Sequence, residues 1–226
     1  MQLAIDTSTD TASLALIQDS EVLAELTWRC GQNHTVELLP RLTYLLNTTK
    51  TNLQSVSCII VAKGPGSFNG LRVGVSTAKG LAFSLKVPII GINTLEVEAY
   101  QHAETGLPIC PIFNAGRGEI ATAMYQKKYN KWRQLATEHI DTIETLCSQI
   151  TTKTLFCGEL TPLIITQLKK ELKQRAVILS SAARLRRASF LAELGQQRLK
   201  AGDYDNSATL QPIYLRRPPI TKRKHQ

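Results

Sequence analysis

The apolar positions near the start of the chain follow two periods in turn. QLAIDTS and ASLALIQ are short apolar runs, and EVLAELTW alternates apolar with polar, as half-buried strands do. HTVELLPRLTYLLN then has helical spacing, with Leu38, Leu39, Leu42, Leu45 and Leu46 predicted on one core-facing stripe. SCIIVAK reads as a short buried strand. GLRVGVSTAKGLAFSL follows as a helix whose core face is predicted to be Leu71, Val75, Ala78, Ala82 and Leu85. PIIGI is another buried strand, and NTLEVEAYQHA a helix capped by Asn93 or Thr94. Strands joined by short turns predict an antiparallel meander. Strands separated by helices predict parallel crossovers.

The second half repeats this order more faintly. PICPIFNA, EIATAMYQ and WRQLATEHI read as strands. DTIETLCSQI is helical, KTLFCG a strand, PLIITQLKKELKQ helical and AVILSS a strand, with a long helix expected over 182–201. The expected fold is therefore α/β: duplicated ribonuclease-H-like units as in actin, hexokinase and heat-shock ATPases, each a mixed sheet with a three-strand meander and flanking helices. Pro108, after Gly106, marks the boundary. Residues 1–105 form the first unit, and 106–226 a smaller second unit with a basic tail, whose last helix is a candidate to pack back on the first.

Between the fourth strand and the second helix lies VAKGPGSFNGLRVG, a glycine-rich strand-to-helix turn with the layout of a phosphate cradle. Its spacing fits neither standard nucleotide motif. Three residues separate Gly66 from Gly70 where a dinucleotide fingerprint has two, and Gly70 is followed by Leu71 and Arg72 rather than Lys-Ser/Thr. The expectation is a turn that positions the helix, with Ser67 or Asn69 as its cap and Gly70 allowing close packing.

Composition narrows the class. The chain has 226 residues and 43% hydrophobic content, enough for one large or two small cores. No apolar run approaches the ~20 residues of a membrane span, and MQLAIDTST does not have the pattern of a secretory leader. Cys30, Cys58, Cys110, Cys147 and Cys157 are scattered and read as reduced, mostly buried thiols of a cytoplasmic protein. The net charge is +9, and from Arg184 to Gln226 ten Lys/Arg face three Asp/Glu. The tail RRPPITKRKHQ reads as solvated or as a polyanion contact; no aromatic residue interleaves its charges.

With these elements placed, AIDTST, HTVELLP, GPGSFNGLRVG, NAGRGEI and QPIYLR stand in the order and spacing of the TsaB (YeaZ) family, and the chain resembles that family over nearly its whole length. The motif loop is Gly64, Pro65, Gly66, Ser67, Phe68, Gly70 and Arg72. One departure is Asn114 and Gly116 in NAGRGEI, where the family usually has aspartate and arginine. The resemblance implies a non-catalytic subunit of bacterial tRNA threonylcarbamoyladenosine (t6A) synthesis, a degenerate relative of TsaD. TsaD moves a threonylcarbamoyl group from an adenylate to N6 of the adenosine beside the tRNA anticodon. The implied partners are TsaD and the ATPase TsaE, a second copy when the chain is alone, and tRNA indirectly through the complex; no membrane is involved.

The catalytic relative holds metal through His-x-x-x-His on the third helix, and those positions fall here on Thr94 and Glu98. No catalytic residue, metal or cofactor is therefore expected, with Thr94 capping its helix and Glu98 solvated or hydrogen-bonded. Asp6, Thr7 and Ser8 occupy the place of a nucleotide loop and are read as its vestige. The expected partner interface joins a second stripe on the first helix, Val36, Pro40 and Tyr44, to a small-residue face on the second, Gly74, Thr77, Gly80 and Ser84, with Arg72 and Lys79 at the rim. Small residues let a neighbouring helix approach closely. Two other functions fit the same fold: an ATP-dependent small-molecule kinase, and a tRNA-binding module using the basic C-terminus.

Overall fold

Residues 2–29 form a meander of three strands, β1 (Gln2–Asp6), β2 (Thr11–Gln18) and β3 (Glu21–Arg29). α1 (His34–Thr48), β4 (Cys58–Ala62), α2 (Phe68–Leu85), β5 (Ile89–Ile92) and α3 (Thr94–Tyr100) follow. The computed structural model describes residues 1–216; the tail after Arg216 lies outside the described residues. A second meander, β6 (Ile109–Gly116), β7 (Glu119–Lys128) and β8 (Lys131–Asp141), leads to α4 (Ile143–Gln149), β9 (Thr154–Gly158), α5 (Pro162–Leu172), β10 (Ala176–Ile178) and α6 (Ala188–Lys200).

The two sheets have the same topology. The first runs β3-β2-β1-β4-β5 and the second β8-β7-β6-β9-β10, each with antiparallel meander pairs and parallel crossovers. This is the duplicated ribonuclease-H-like α/β arrangement.

Alternation along the central strands divides the core into layers. Leu3 and Ile5 of β1 and Ile59 and Val61 of β4 face α1 and α2, where Leu38, Leu42, Leu45, Val75, Ala78 and Ala82 close the layer. Ala4, Cys58 and Ile60 face the other way, against Leu191 and Ala192 of α6 and Val97 of α3. The last helix therefore lies on the first sheet. Gly195 makes this possible, because a Cβ there would stand 2.5 Å from Ile60. Leu95 and Ala99 of α3 join the second sheet's layer with Ile109, Phe113 and Leu155, so α3 shares its sides between the two sheets. All five cysteines are buried and free.

Two expectations are corrected here. Leu39 is not a core residue: it is 53% exposed, beside the buried Leu38. The helix expected over 182–201 begins only at Ala188, after a short 3-10 turn at Ala182–Arg184 and extended residues at Leu185 and Arg187. Between these two, Arg186 turns into the interior, and a continuous helix would not carry it there.

Candidate docking face and a closed cleft

The glycine loop is seated on the loop that follows β1. Ser67 N–H donates to the Ser8 carbonyl at 2.6 Å, and Thr7 Oγ1 donates to the Gly70 carbonyl at 2.7 Å. A Cβ on Gly66 would stand 2.1 Å from the Ser8 carbonyl oxygen, and one on Gly70 2.1 Å from that of Thr7. Ser67 is the cap of α2, accepting from Gly70 N–H. Gly64 and Pro65 are buried, Lys63 O accepts from Ile213 N–H at 2.6 Å, and Phe68 packs on Tyr214 with ring centres 5.0 Å apart. The family motif thus joins three distant segments through backbone contact.

Asp6 and Ser8 are buried, and their polar atoms converge on Arg186. Arg186 Nε donates to Asp6 Oδ2 at 2.5 Å, and Nη2 donates to Ser8 Oγ and Thr9 Oγ1, both at 3.0 Å. Nη1 reaches Glu98 Oε2 at 3.4 Å, and the guanidinium carbon lies 5.3 Å from the Phe113 ring centre. Burial pushes the Glu98 carboxyl up to about 7, Arg186 pulls it down, and the neighbouring Asp6 adds to the rise. Burial works against the charge on Arg186, but Asp6 and Glu98 outweigh it and hold the guanidinium's pKa above its ordinary value. A charge this deep persists only when paired and hydrogen-bonded.

A nucleotide's phosphates, which folds of this type imply, do not fit this loop. The Asp6 carboxylate and the Ser8 and Thr9 hydroxyls are engaged by Arg186, and the glycine loop is filled by the backbone of Thr7 and Ser8. The role given to Thr94 is also corrected. Asn93 caps α3, its side chain accepting from Leu95 N–H, while Thr94 Oγ1 accepts from Gly64 N–H at 3.0 Å. Glu98 is 1% exposed, which excludes the solvated alternative. Sequence reading missed Arg186 altogether; its only local signal was its place as the middle of three arginines in RLRR beside a helix start.

Glu98, His102 and Cys157 bring donor atoms within 4.8 Å of one another. These donors have protein partners. The Gln101 amide lies 3.2 Å from Glu98 Oε1 and 3.0 Å from His102 Nε2, and Cys157 Sγ donates to the Glu98 carbonyl at 3.6 Å. Burial drives the His102 pKa down to about 4 and the Cys157 thiol well up.

A cleft of about 810 Å³ opens beside Asp10, Asn114, Glu119, Glu159, Thr161 and Arg184. Asn114 Oδ1 accepts from Gly116 N–H at 2.8 Å, and Gly116 has φ +75°. In this chain, then, the two departing residues build the turn between β6 and β7 themselves. Arg216 secures the end of the described chain on the same turn, pairing with Glu119 and donating to the Ala115 carbonyl at 3.3 Å.

On the opposite face of the first sheet, α1 and α2 pack side by side and leave large apolar groups outside. Val36 is 68% exposed, Tyr44 59% and Phe83 81%; Leu39 and Pro40 are exposed with them. Gly80 is exposed, with nothing within 4 Å of a Cβ placed there, and Ser84 is exposed beside it. Thr77 is half-buried. Arg72 is exposed, its guanidinium 3.8 Å over the Phe68 ring. Two members of the expected interface are placed elsewhere. Gly74 is buried, and its Cβ would stand 2.2 Å from Thr7 Oγ1, so its smallness serves internal packing. Lys79 Nζ donates to the carbonyls of Ala208 and Leu210 at 3.2 and 3.1 Å, so it is a brace for the C-terminal segment. Phe83 and Leu39 were not foreseen, although Phe83 is an aromatic residue off the Leu71–Val75–Ala78–Ala82 stripe.

The family model for TsaD, tRNA N6-adenosine threonylcarbamoyltransferase, matches residues 28–223. The chain is 37% identical over 218 residues to the tRNA threonylcarbamoyladenosine biosynthesis protein TsaB of Bacillus subtilis, covering 95% of this chain and 93% of that protein. YeaZ from Pseudomonas aeruginosa has a TM-score of 0.80 at 24% identity, covering 95% of this chain and 99% of that one. The ROK hexokinase of Thermus thermophilus has a TM-score of 0.52 at 10% identity over 87% of this chain and 99% of that one, a likeness of fold alone. No helix among the described residues is long and apolar enough to cross a membrane. The full-length match to TsaB, the YeaZ-like fold and the GPGSFNGLRVG loop together place the chain in the TsaB (YeaZ) family of tRNA threonylcarbamoyladenosine biosynthesis proteins, within the broader family that the TsaD model describes.

Proposed function

We propose that this chain is a scaffold subunit of t6A synthesis. It pairs through α1 and α2 with a TsaD-type catalytic subunit, and a TsaE-type ATPase docks on the pair. The same face supports a homodimer when the chain is alone. The observation that carries this reading is the exposed apolar groups of the helix pair, Val36, Leu39 and Tyr44 on α1 and Phe83 on α2, together with the open backbone at Gly80 on α2. Apolar groups of this size left in water gain when a partner covers them, at roughly 25 cal/mol per Å² removed. The chain performs no chemistry of its own in this reading: its buried acidic groups Asp6 and Glu98 are bonded to the internal guanidinium of Arg186. It reaches tRNA through the complex and acts in the cytoplasm.

The test is co-expression with the cognate catalytic subunit. Gly80→Arg and Tyr44→Asp should leave the free chain folded, with wild-type circular dichroism and a cooperative melt, and abolish co-elution in gel filtration. If both folded variants pair with unchanged affinity, the helix pair is not the interface and the scaffold mechanism fails.

A further inference from the structure

The tip of the β7–β8 hairpin carries charge that the described structure does not balance. Lys128 and Lys131 are directly opposite each other across the ladder, and Gln126 is opposite Arg133 on the same side of the hairpin. Lys128, Lys131 and Arg133 are exposed, and among the described residues none of the three forms a salt bridge. The residues beyond Arg216 contain no Asp or Glu. Nearby carboxylates have other partners: Glu104 pairs with Lys127, Glu96 accepts from the Trp132 indole, Asp203 pairs with Arg198, and Glu138 of β8 accepts from the Gln134 amide at 3.2 Å. Like charges directly opposite on neighbouring strands repel. Lysines do blunt sheet edges, and β8 is an edge strand. Edge protection alone does not account for the first of the two residues between the paired lysines.

That residue is Tyr129, which is 87% exposed. It and Asn130 both have positive φ, 52° and 57°, in a two-residue turn whose backbone favours Asn or Gly. Asn130 suits such a turn. A tyrosine there accepts a disfavoured backbone while its ring is left in water, with Lys128 Nζ 5.4 Å from the ring centre. Lys131 and Arg133 also line the mouth of a cleft of about 520 Å³.

We propose that this hairpin tip is an RNA contact, with phosphates on Lys128, Lys131 and Arg133 and an unstacked base on the face of Tyr129. Cations without counter-ions suit a polyanion, and an exposed ring among them suits a single-stranded segment. The site lies at the edge of the second sheet, whereas the proposed docking helices cover the first. The proposal goes beyond the scaffold reading and uses the family's tRNA chemistry only to choose the probe.

Binding of the full chain to an unmodified tRNA transcript, by fluorescence anisotropy over a range of salt, tests it. Tyr129→Asn keeps a residue suited to the turn and removes the ring; it should weaken binding by roughly 5- to 100-fold, while Tyr129→Phe should not. Lys128→Ala/Lys131→Ala/Arg133→Ala should flatten the slope of log affinity against log salt by about 2–3. All variants keep the basic tail, so any tail contribution cancels. Co-elution with the catalytic subunit is measured in parallel and should be unchanged, which separates this site from the docking face. Unchanged affinity in Tyr129→Asn together with an unchanged salt slope in the triple variant overturns the proposal. So does competition by polyglutamate equal to that by RNA, which would assign the tip to an acidic protein.

Discussion

Arg186 and Asp6, 180 residues apart in the chain, meet in the interior with Nε 2.5 Å from Oδ2. Their side chains are 6% and 1% exposed. The contact ties the extended lead-in to α6 to the end of β1, in the Asp6–Ser8 loop that the sequence alone reads as a vestigial nucleotide loop. In this structure an internal guanidinium occupies it.

Removing it should be costly. Arg186→Met leaves Asp6 buried without its partner, and breaking a buried pair in this way costs about 3–5 kcal/mol. Urea unfolding should show that loss, and Asp6→Asn/Arg186→Met should recover a large part of it. Equal stability of Arg186→Met and the wild type would show that the network contributes nothing to the fold.

Glu98 should make stability depend on pH in an unusual direction. Its carboxyl rises from an ordinary 4.5 to about 7 because of burial. A carboxyl with a raised native pKa holds its proton more tightly when folded. Its contribution is full below about 4.5 and is lost as pH rises through about 7. Glu98→Gln removes the titration, so the variant should gain on the wild type between pH 5 and pH 8, by roughly 1–3 kcal/mol. Parallel stability curves for the two proteins would rule this out.

Two glycines on α2 should respond oppositely to the same methyl group. At Gly74 the new Cβ meets Thr7 Oγ1 at 2.2 Å, where Thr7 also bonds the Gly70 carbonyl. Gly74→Ala should destabilise by about 1–3 kcal/mol, as overpacking does. At Gly80 the Cβ meets nothing, and Gly80→Ala should stabilise the free chain by about 0.5–1 kcal/mol through reduced backbone entropy of the unfolded state. Thermal melts of the two variants check both signs.

The cluster of Glu98, His102 and Cys157 bears on metal. Because Arg186 and Gln101 already engage Glu98, and Gln101 also meets His102 Nε2, the purified chain should carry far less than one equivalent of zinc or iron. Elemental analysis after dialysis decides it; about one tightly held transition metal per chain would overturn the non-catalytic reading.

What the sequence by itself determined is local or repeated. Alternation in β1 to β3, the leucine spacing of α1 and the short apolar runs of β4 and β5 follow from side-chain periods of two and 3.6 residues, which the chain writes down directly. The repetition of that order after Pro108 made the paired sheets legible, and GPGSFNGLRVG carried the family. Tertiary structure decided which small residues face inward. Gly74 and Gly80 are equally small on a helical wheel, yet Thr7, from another segment, lies against only one of them. It also decided that Leu39 and Phe83 face outward, because the sheet beneath α1 and α2 covers only part of each helix. And it decided the partner of Arg186. A guanidinium can bond any carboxylate within reach, and which carboxylates are in reach depends on how β1, α3 and the approach to α6 pack. No spacing along the chain encodes that arrangement.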